Sequence, residues 1–206
     1  MIARTLLAVS ILFYAAQAIA QSPPHPLLTP ERIAELEKGE VVVVKVKHEE
    51  GKDNAAASAA AFVLISKPPQ TVWDTLTQFE QQAEYMPRLN KVSRYDIDPS
   101  VVGLKQELKV VWKTVIYYLK MKLDNTNHRM DWTLDPDKES GIESTDGYWA
   151  FKPWGEGKTL AIYELNIDTG MAVPKFIAQA LLNSDLPGVL EALKQRVESG
   201  GTWKKD

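Results

Sequence analysis

After about residue 90 the chain alternates between polar and apolar positions, and only a few stretches switch to helical spacing. Val41 to Lys47 is β-branched and ends with Lys45 and Lys47 opposite Val44 and Val46, which predicts a strand. Residues 48–54 form a polar turn. Ala55 to Ile65 returns as a second strand, and its small-sided first half suggests close approach by another element. Pro68-Pro69 ends that strand. Val72, Trp73, Leu76 and Phe79 follow at helical spacing, and a second short helix is expected over Glu80 to Tyr85, before Pro87. Period two then predicts strands near Lys91–Asp98, Leu104–Trp112, Thr114–Leu123, Arg129–Leu134, Ile142–Lys152 and Leu160–Ile167, divided by turn-rich separators such as Asp98-Pro99-Ser100 and Asp135-Pro136-Asp137. The close is helical. Val173-Pro174 opens a stripe of Phe176, Ile177, Ala180 and Leu181, and Leu186, Val189, Leu190, Leu193 and Val197 form the next. Pro187 between the stripes requires a kink, or a new helix after Ser184 or Asp185. Gly200-Gly201 ends it.

Before these elements, Thr29-Pro30-Glu31 supplies a capping hydroxyl, a proline at the first helical position and an acid near the positive helix end, and Gly39 stops the short helix. Gln21 to Leu28 contains Pro23, Pro24 and Pro26 and reads as an extended spacer. The first residues have the form of an address. Arg4 precedes an apolar run from Thr5 to Ala18, shorter than the ~20 residues that span a bilayer, and Ala18-Ile19-Ala20 offers small side chains for cleavage after Ala20. The expected destination is the periplasm or the exterior. The expected organisation is a leader over 1–20, a proline-rich spacer with a short helix over 21–40, one α+β domain over 41–199, and a tail over 200–206.

A hairpin, two short helices, an antiparallel meander and a long terminal helix make an order in which one sheet face needs a cover. The terminal helix is the large apolar element available, and a curved sheet wrapped around it can leave a hollow between them. Composition narrows the function classes. With 24 Lys+Arg against 27 Asp+Glu, the formal net charge is −3, and no basic excess exists to neutralise nucleic acid phosphates. Zero cysteines exclude disulfides, thiolate metal sites and a cysteine nucleophile.

The run Val63-Leu64-Ile65-Ser66-Lys67-Pro68-Pro69-Gln70-Thr71-Val72-Trp73 resembles the strand-to-helix opening of START-like domains, the superfamily that includes polyketide cyclase/dehydrase-like and lipid-transfer proteins. Phe79, Tyr85-Met86-Pro87 and Val92 continue the likeness, as do Gly147-Tyr148-Trp149-Ala150-Phe151-Lys152-Pro153, Lys158-Thr159-Leu160, Tyr163, Val173-Pro174 and the terminal helix through Arg196-Val197. The resemblance extends over about Val41 to Glu198. It implies a helix-grip fold, with a curved antiparallel sheet around a long C-terminal helix, two short helices between early strands, and an internal apolar cavity. It does not imply one activity.

Alternate strand residues share a face. Gln106, Val110 and Trp112 share one, and Tyr117 and Leu119 another. Met130 with Trp132, Trp149 with Phe151, and Tyr163 with Leu165 extend the set, and Phe176, Ala180 and Leu181 face it from the terminal helix. These residues are the expected cavity wall, with Gln106, Tyr117 and Tyr163 as its polar atoms; the same faces also suit a filled core. Gly170 and Pro174 are the expected gate, where glycine gives the loop freedom and proline fixes the helix start.

Other constellations give weaker signals. His25, His48 and His128 lack the spacing of a metal or catalytic motif. Asp135, Asp137 and Glu139 imitate the start of a calcium loop, but Ser140 stands where that loop needs glycine. Glu143, Asp146 and Glu164 would form a carboxylate pair only if the strands brought them together, and Glu164 should face outward if Tyr163 faces in. Lys105, Lys109, Lys113, Lys120 and Lys122 form either a strip for anionic headgroups or a solvated sheet face. The expectation is therefore a monomeric carrier or sensor of a hydrophobic small molecule of lipid, sterol or quinone type. It has no assigned catalytic residue, cofactor or metal, no nucleic acid partner, and a membrane surface as a possible contact. The alternatives are a cyclase/dehydrase-like enzyme using the same cavity and an envelope interaction module with a filled core.

Overall fold

The computed structural model describes residues 24–45, 56–97, 101–110, 113–168, 170 and 184–206. The first helix, α1 (Pro30–Glu37), starts where the sequence predicts, with the Thr29 hydroxyl accepting from the Arg32 N–H. Gly39 ends it with φ 90°, a conformation that a side chain would strain. Strands β1 (Val42–Lys45) and β2 (Ala56–Ile65) follow, then α2 (Pro69–Leu76), a short turn of 3-10 helix over Phe79–Gln81, and α3 (Gln82–Tyr85). The meander is β3 (Leu89–Ile97), β4 (Val101–Val110), β5 (Lys113–Asp124), β6 (Arg129–Leu134), β7 (Ser144–Trp154) and β8 (Lys158–Asp168). The last helix, α4 (Leu186–Glu198), carries Pro187 in its first turn, where the missing N–H costs nothing. Val173-Pro174 and the stripe from Phe176 to Leu181 lie outside the described residues.

The strands make one antiparallel sheet in the order β1-β2-β8-β7-β6-β5-β4-β3. It curves around α4 in a helix-grip arrangement, an α+β fold. Val63, Leu104, Met130, Phe151 and Ala161 from the sheet join Leu190 and Leu193 from α4 in the main core, each at most 1% exposed. Ala59 and Ala61 lie on this face in β2, against Leu165 and Tyr163, so the small side chains make room for a tyrosine ring and the helix.

A second core lies on the convex face. Leu28 and Leu36 pack against Val42, Ala60, Phe62, Leu160 and Ile162. Leu28 is 1% exposed. The described part of the proline-rich segment is therefore packed against the sheet rather than held away from it. His25 fixes it there: its Nδ1 accepts from the Leu27 N–H at 3.2 Å, leaving Nε2 to donate to Glu164 at 2.7 Å. The Tyr148 hydroxyl donates to the same carboxylate oxygen at 2.6 Å, and the Arg129 guanidinium lies 3.6 Å above the Tyr148 ring. Burial, the Glu164 hydrogen bond and the carboxylate charge raise the pKa of Tyr148. Strands β2 and β8 are thus covered on both faces, which explains the near-continuous apolar run Ala59 to Ile65.

Candidate ligand site

The pleat of each strand decides which side chains face α4. Strand register aligns Leu104 with Leu119, Gln106 with Tyr117, Met121 with Trp132, Met130 with Trp149, and Trp149 with Tyr163. All nine of these side chains therefore share the concave face, as the alternation predicts.

Burial along that face is graded. Val63, Ile65, Val102, Met121, Met130, Phe151 and Ala161, toward one end of the sheet, are at most 6% exposed. Toward the other end Gln106, Leu108 and Val110 of β4, Val115 and Tyr117 of β5, Leu134 of β6, and Tyr163 and Leu165 of β8 are only half-buried. Leu123, beside the β5–β6 turn, is an exception to the gradient. Among the described residues neither the sheet nor α4 covers these inward-facing apolar side chains, which form a concave apolar wall at the end where β4 meets β5. That end also receives the start of α4, where Asp185 pairs with Arg88 at 2.8 Å.

The floor is aromatic. Tyr163 lies between two tryptophans, 4.2 Å from Trp149 at an interplanar angle of 26° and 5.4 Å from Trp132 at 28°. The series continues through Phe151, 6.0 Å from Trp149, to Trp73 of α2, which meets Phe151 edge-on at 6.4 Å. Gly147 permits this stack. A Cβ there would overlap the Glu164 carbonyl oxygen and lie 2.5 Å from Trp132 Cζ2. The near-parallel rings present flat apolar surface in the offset geometry that aromatic quadrupoles favour.

Of the polar wall atoms, the Tyr117 hydroxyl donates to Gln106 Oε1 at 2.6 Å, so two residues expected separately act as one pair. The Gln106 amide nitrogen remains as a donor, and the Tyr163 hydroxyl has no hydrogen-bond partner among the described residues. Burial first, and the neighbouring Tyr163 second, push the Tyr117 hydroxyl well above its ordinary pKa; burial does the same for Tyr163. Both stay neutral phenols and offer hydrogen bonds rather than charge. Among the described residues, no carboxylate or histidine projects from the concave face of the sheet.

The remaining site residues are distributed as follows. Val110, Leu119, Met130, Trp132, Trp149, Phe151 and Leu165 lie on the concave face with Gln106, Tyr117 and Tyr163. Trp112, Phe176, Ala180, Leu181 and Pro174 lie outside the described residues. Gly170 adopts φ 66° and its N–H donates to Asp168 Oδ1 at 2.9 Å, at the open end. Glu164 faces outward to His25, Asp146 meets Asn166 at 2.8 Å, and the carboxylates do not form a dyad. The mock calcium loop is neutralised from β5: Lys120 lies 3.1 Å from Asp135 and 3.0 Å from Asp137. His128 meets Gln70 at 3.0 Å beside Trp73. Trp73 and Gly147 were not among the expected wall residues; the Trp73 position on the apolar stripe of α2 was the available signal.

Residues 65–194 match the family described as polyketide cyclase / dehydrase and lipid transport. No curated protein matches. Among solved structures, a protein from Thermus thermophilus aligns at 19% identity with TM-score 0.63, covering 70% of this chain and 99% of its own. A STAR-related lipid transfer protein from Xanthomonas axonopodis aligns at 14% identity and TM-score 0.64, covering 76% and 93%. An aromatase/cyclase from Streptomyces aligns at 16% identity and TM-score 0.58, covering 71% and 98%. At such identities these structures establish a shared fold, one used for hydrophobic-ligand binding or cyclase chemistry. With the family match spanning more than half its length, the chain belongs to the polyketide cyclase / dehydrase and lipid transport family of START-like proteins.

Proposed function

We propose that this protein binds a neutral, largely apolar small molecule of lipid, sterol or quinone type between α4 and the concave sheet face, and acts as a carrier or sensor. The observation that carries this reading is the burial gradient: along β4, β5, β6 and β8 the inward side chains pass from buried to half-exposed toward one end. Each 100 Å² of apolar ligand surface withdrawn from water there contributes about 2.5 kcal/mol before ordering costs. The stacked Trp132, Tyr163 and Trp149 favour a flat ring system, and uncharged Gln106 and Tyr163 favour hydroxyl or carbonyl oxygens over a charged headgroup. The family's name, which pairs lipid transport with cyclisation, agrees with such cargo.

Native mass spectrometry of the protein purified gently from its own cells tests the reading. A neutral apolar mass bound near one per chain supports it. An apo mass, combined with a structure in which side chains fill the space beside Tyr163, overturns it. A cyclase/dehydrase reading has one observation in its favour, the unpartnered Tyr163 hydroxyl as a proton donor; it predicts turnover that Tyr163→Phe abolishes while binding persists. The leader reading adds that the protein is exported and begins at Gln21. Sequencing the N-terminus of the protein recovered from its host decides that point, and an intact Met1 start would refute it.

A further inference from the structure

After α4 the chain turns back on itself. Gly200 and Gly201 adopt φ 68° and 84°, and their N–H groups donate to the Val197 and Arg196 carbonyls at 3.1 and 2.8 Å. Trp203 then packs against the main core, and Arg196, 4% exposed, donates to its carbonyl at 2.9 Å. The returning segment thereby meets the corner between α3 and β3. The Lys205 N–H donates to the Glu84 carbonyl at 3.1 Å, and the Lys205 ammonium donates to the carbonyls of Met86 at 2.7 Å and Leu89 at 2.5 Å. Burial lowers the pKa of this lysine. The nearby carboxylate, Glu84, pairs with Arg196 and Lys204 instead. Surface lysines commonly keep the ammonium in water; this one has exchanged water for two main-chain oxygens.

Those two carbonyls flank the strained residue of the corner. Arg88 adopts φ 58°, and among the described residues only His128 is a second non-glycine residue with positive φ. Such a backbone persists where its surroundings hold it from several sides. Lys205 holds Met86 and Leu89, the Lys109 N–H of β4 donates to the Arg88 carbonyl at 2.8 Å, and the Arg88 guanidinium pairs with Asp185 at the start of α4. A Cβ at Gly188 would lie 3.7 Å from Pro87, so the first turn of α4 sits directly on the corner. The corner, α4 and the returning segment form a closed ring. Its corner stands beside the β4–β5 hairpin, at the rim of the concave apolar wall.

We propose that Lys205 is a positioning residue for the ligand site: by clipping the α3–β3 corner it holds the rim in place and sets how fast an apolar molecule enters and leaves. The cargo rests on the carrier reading; the clip does not. Lys205 bonds to the main chain of the corner and to no residue of the aromatic floor. It therefore acts on passage rather than on the bound molecule. Outward movement of the corner must break both ammonium bonds whether or not a ligand is inside, so their loss speeds entry and exit together and leaves affinity unchanged.

The test is stopped-flow fluorescence of the full chain with the neutral apolar probe N-phenylnaphthylamine, together with hydrogen exchange at the Lys109 amide. Lys205→Met keeps the stem and removes the ammonium. A charged hydrogen bond is worth roughly a factor of ten in an equilibrium. Lys205→Met should therefore speed association and dissociation of the probe about tenfold each, keep Kd within about twofold, and raise exchange at Lys109 by a similar factor. Lys204→Gln removes the same charge one residue earlier, from a side chain 62% exposed, and should leave all of these at parent values. Lys205→Arg, which has donors for both carbonyls, should restore slow passage. Unchanged exchange in Lys205→Met overturns the clip. Faster exchange with unchanged probe rates, or a weakened Kd with an unchanged association rate, overturns its control of passage. A parent that takes up no probe sinks the carrier reading and this proposal together, whereas unaltered rates in a parent that binds the probe sink this proposal alone.

Discussion

Tyr85 and Tyr117 can be compared through the same atomic change, loss of one hydroxyl oxygen, with opposite expected results. Tyr85, at the end of α3, is 1% exposed and its hydroxyl has no hydrogen-bond partner among the described residues. Burial raises its pKa, partly offset by the Arg196 guanidinium, which lies 5.3 Å from the ring centroid. An unsatisfied buried hydroxyl costs about 1–3 kcal/mol, and phenylalanine keeps the ring and its contact with Arg196 while removing that cost. Tyr85→Phe should therefore stabilise the fold by about 1 kcal/mol, or raise Tm by about 2–4 °C for a chain of this size. Tyr117→Phe deletes the 2.6 Å donor to Gln106 and leaves that amide oxygen half-buried without its partner. It should destabilise by about 0.5–1.5 kcal/mol. Thermal and urea unfolding of the ligand-free proteins read both, with an unchanged urea slope as the check that the unfolding reaction is the same. A Tyr85→Phe variant that melts below the parent would show that the hydroxyl has a partner, and would refute the reasoning.

Gly147→Ala places a Cβ against Trp132 and the Glu164 carbonyl, and should cost about 3 kcal/mol, the upper part of the overpacking range, with a shift in tryptophan fluorescence. Leu28→Ala opens a cavity in the convex core and should cost about 2–5 kcal/mol by urea unfolding; a loss under 0.5 kcal/mol would mean that the N-terminal segment contributes little. At Asp135 burial pushes the carboxyl up, but the Tyr95 hydroxyl, the Asp137 N–H and Lys120 outweigh it and hold the pKa below the ordinary value. Its stabilisation is then complete above the unfolded carboxylate pKa of about 3.9 and is lost as pH falls through the lower folded value. Asp135→Asn should accordingly be less stable than the parent at neutral pH, and the gap should close in that acid window when urea midpoints are compared.

Much of the meander was legible because one buried and one solvated face write period two into the sequence; β6, predicted over Arg129–Leu134, has those bounds in the structure. β4 starts before its predicted limit and β5 extends past both of its own, because pairing partners, rather than local pattern, decide where a ladder stops. The Gln106–Tyr117 bond needed cross-strand register, which the spacing of either strand alone does not contain. The covering of the convex face was hidden for a different reason. Pro24 and Pro26 give a local composition typical of linkers, while the contacts that hold the segment, His25 to Glu164 and Leu28 to the sheet, come from residues distant in sequence. Tyr85 sits in a pattern that any buried aromatic would satisfy, so its unpartnered hydroxyl is visible only in three dimensions.

The seam between β2 and β8 also governs how this molecule can form. Ala59 lies opposite Leu165 and Val63 opposite Ala161, so neighbours in the middle of the sheet are roughly a hundred positions apart. No partial chain emerging from a ribosome can close that seam until the last strand has been made. Such long-range topology slows folding by entropy alone, and the early β2 residues must wait with both apolar sides unprotected.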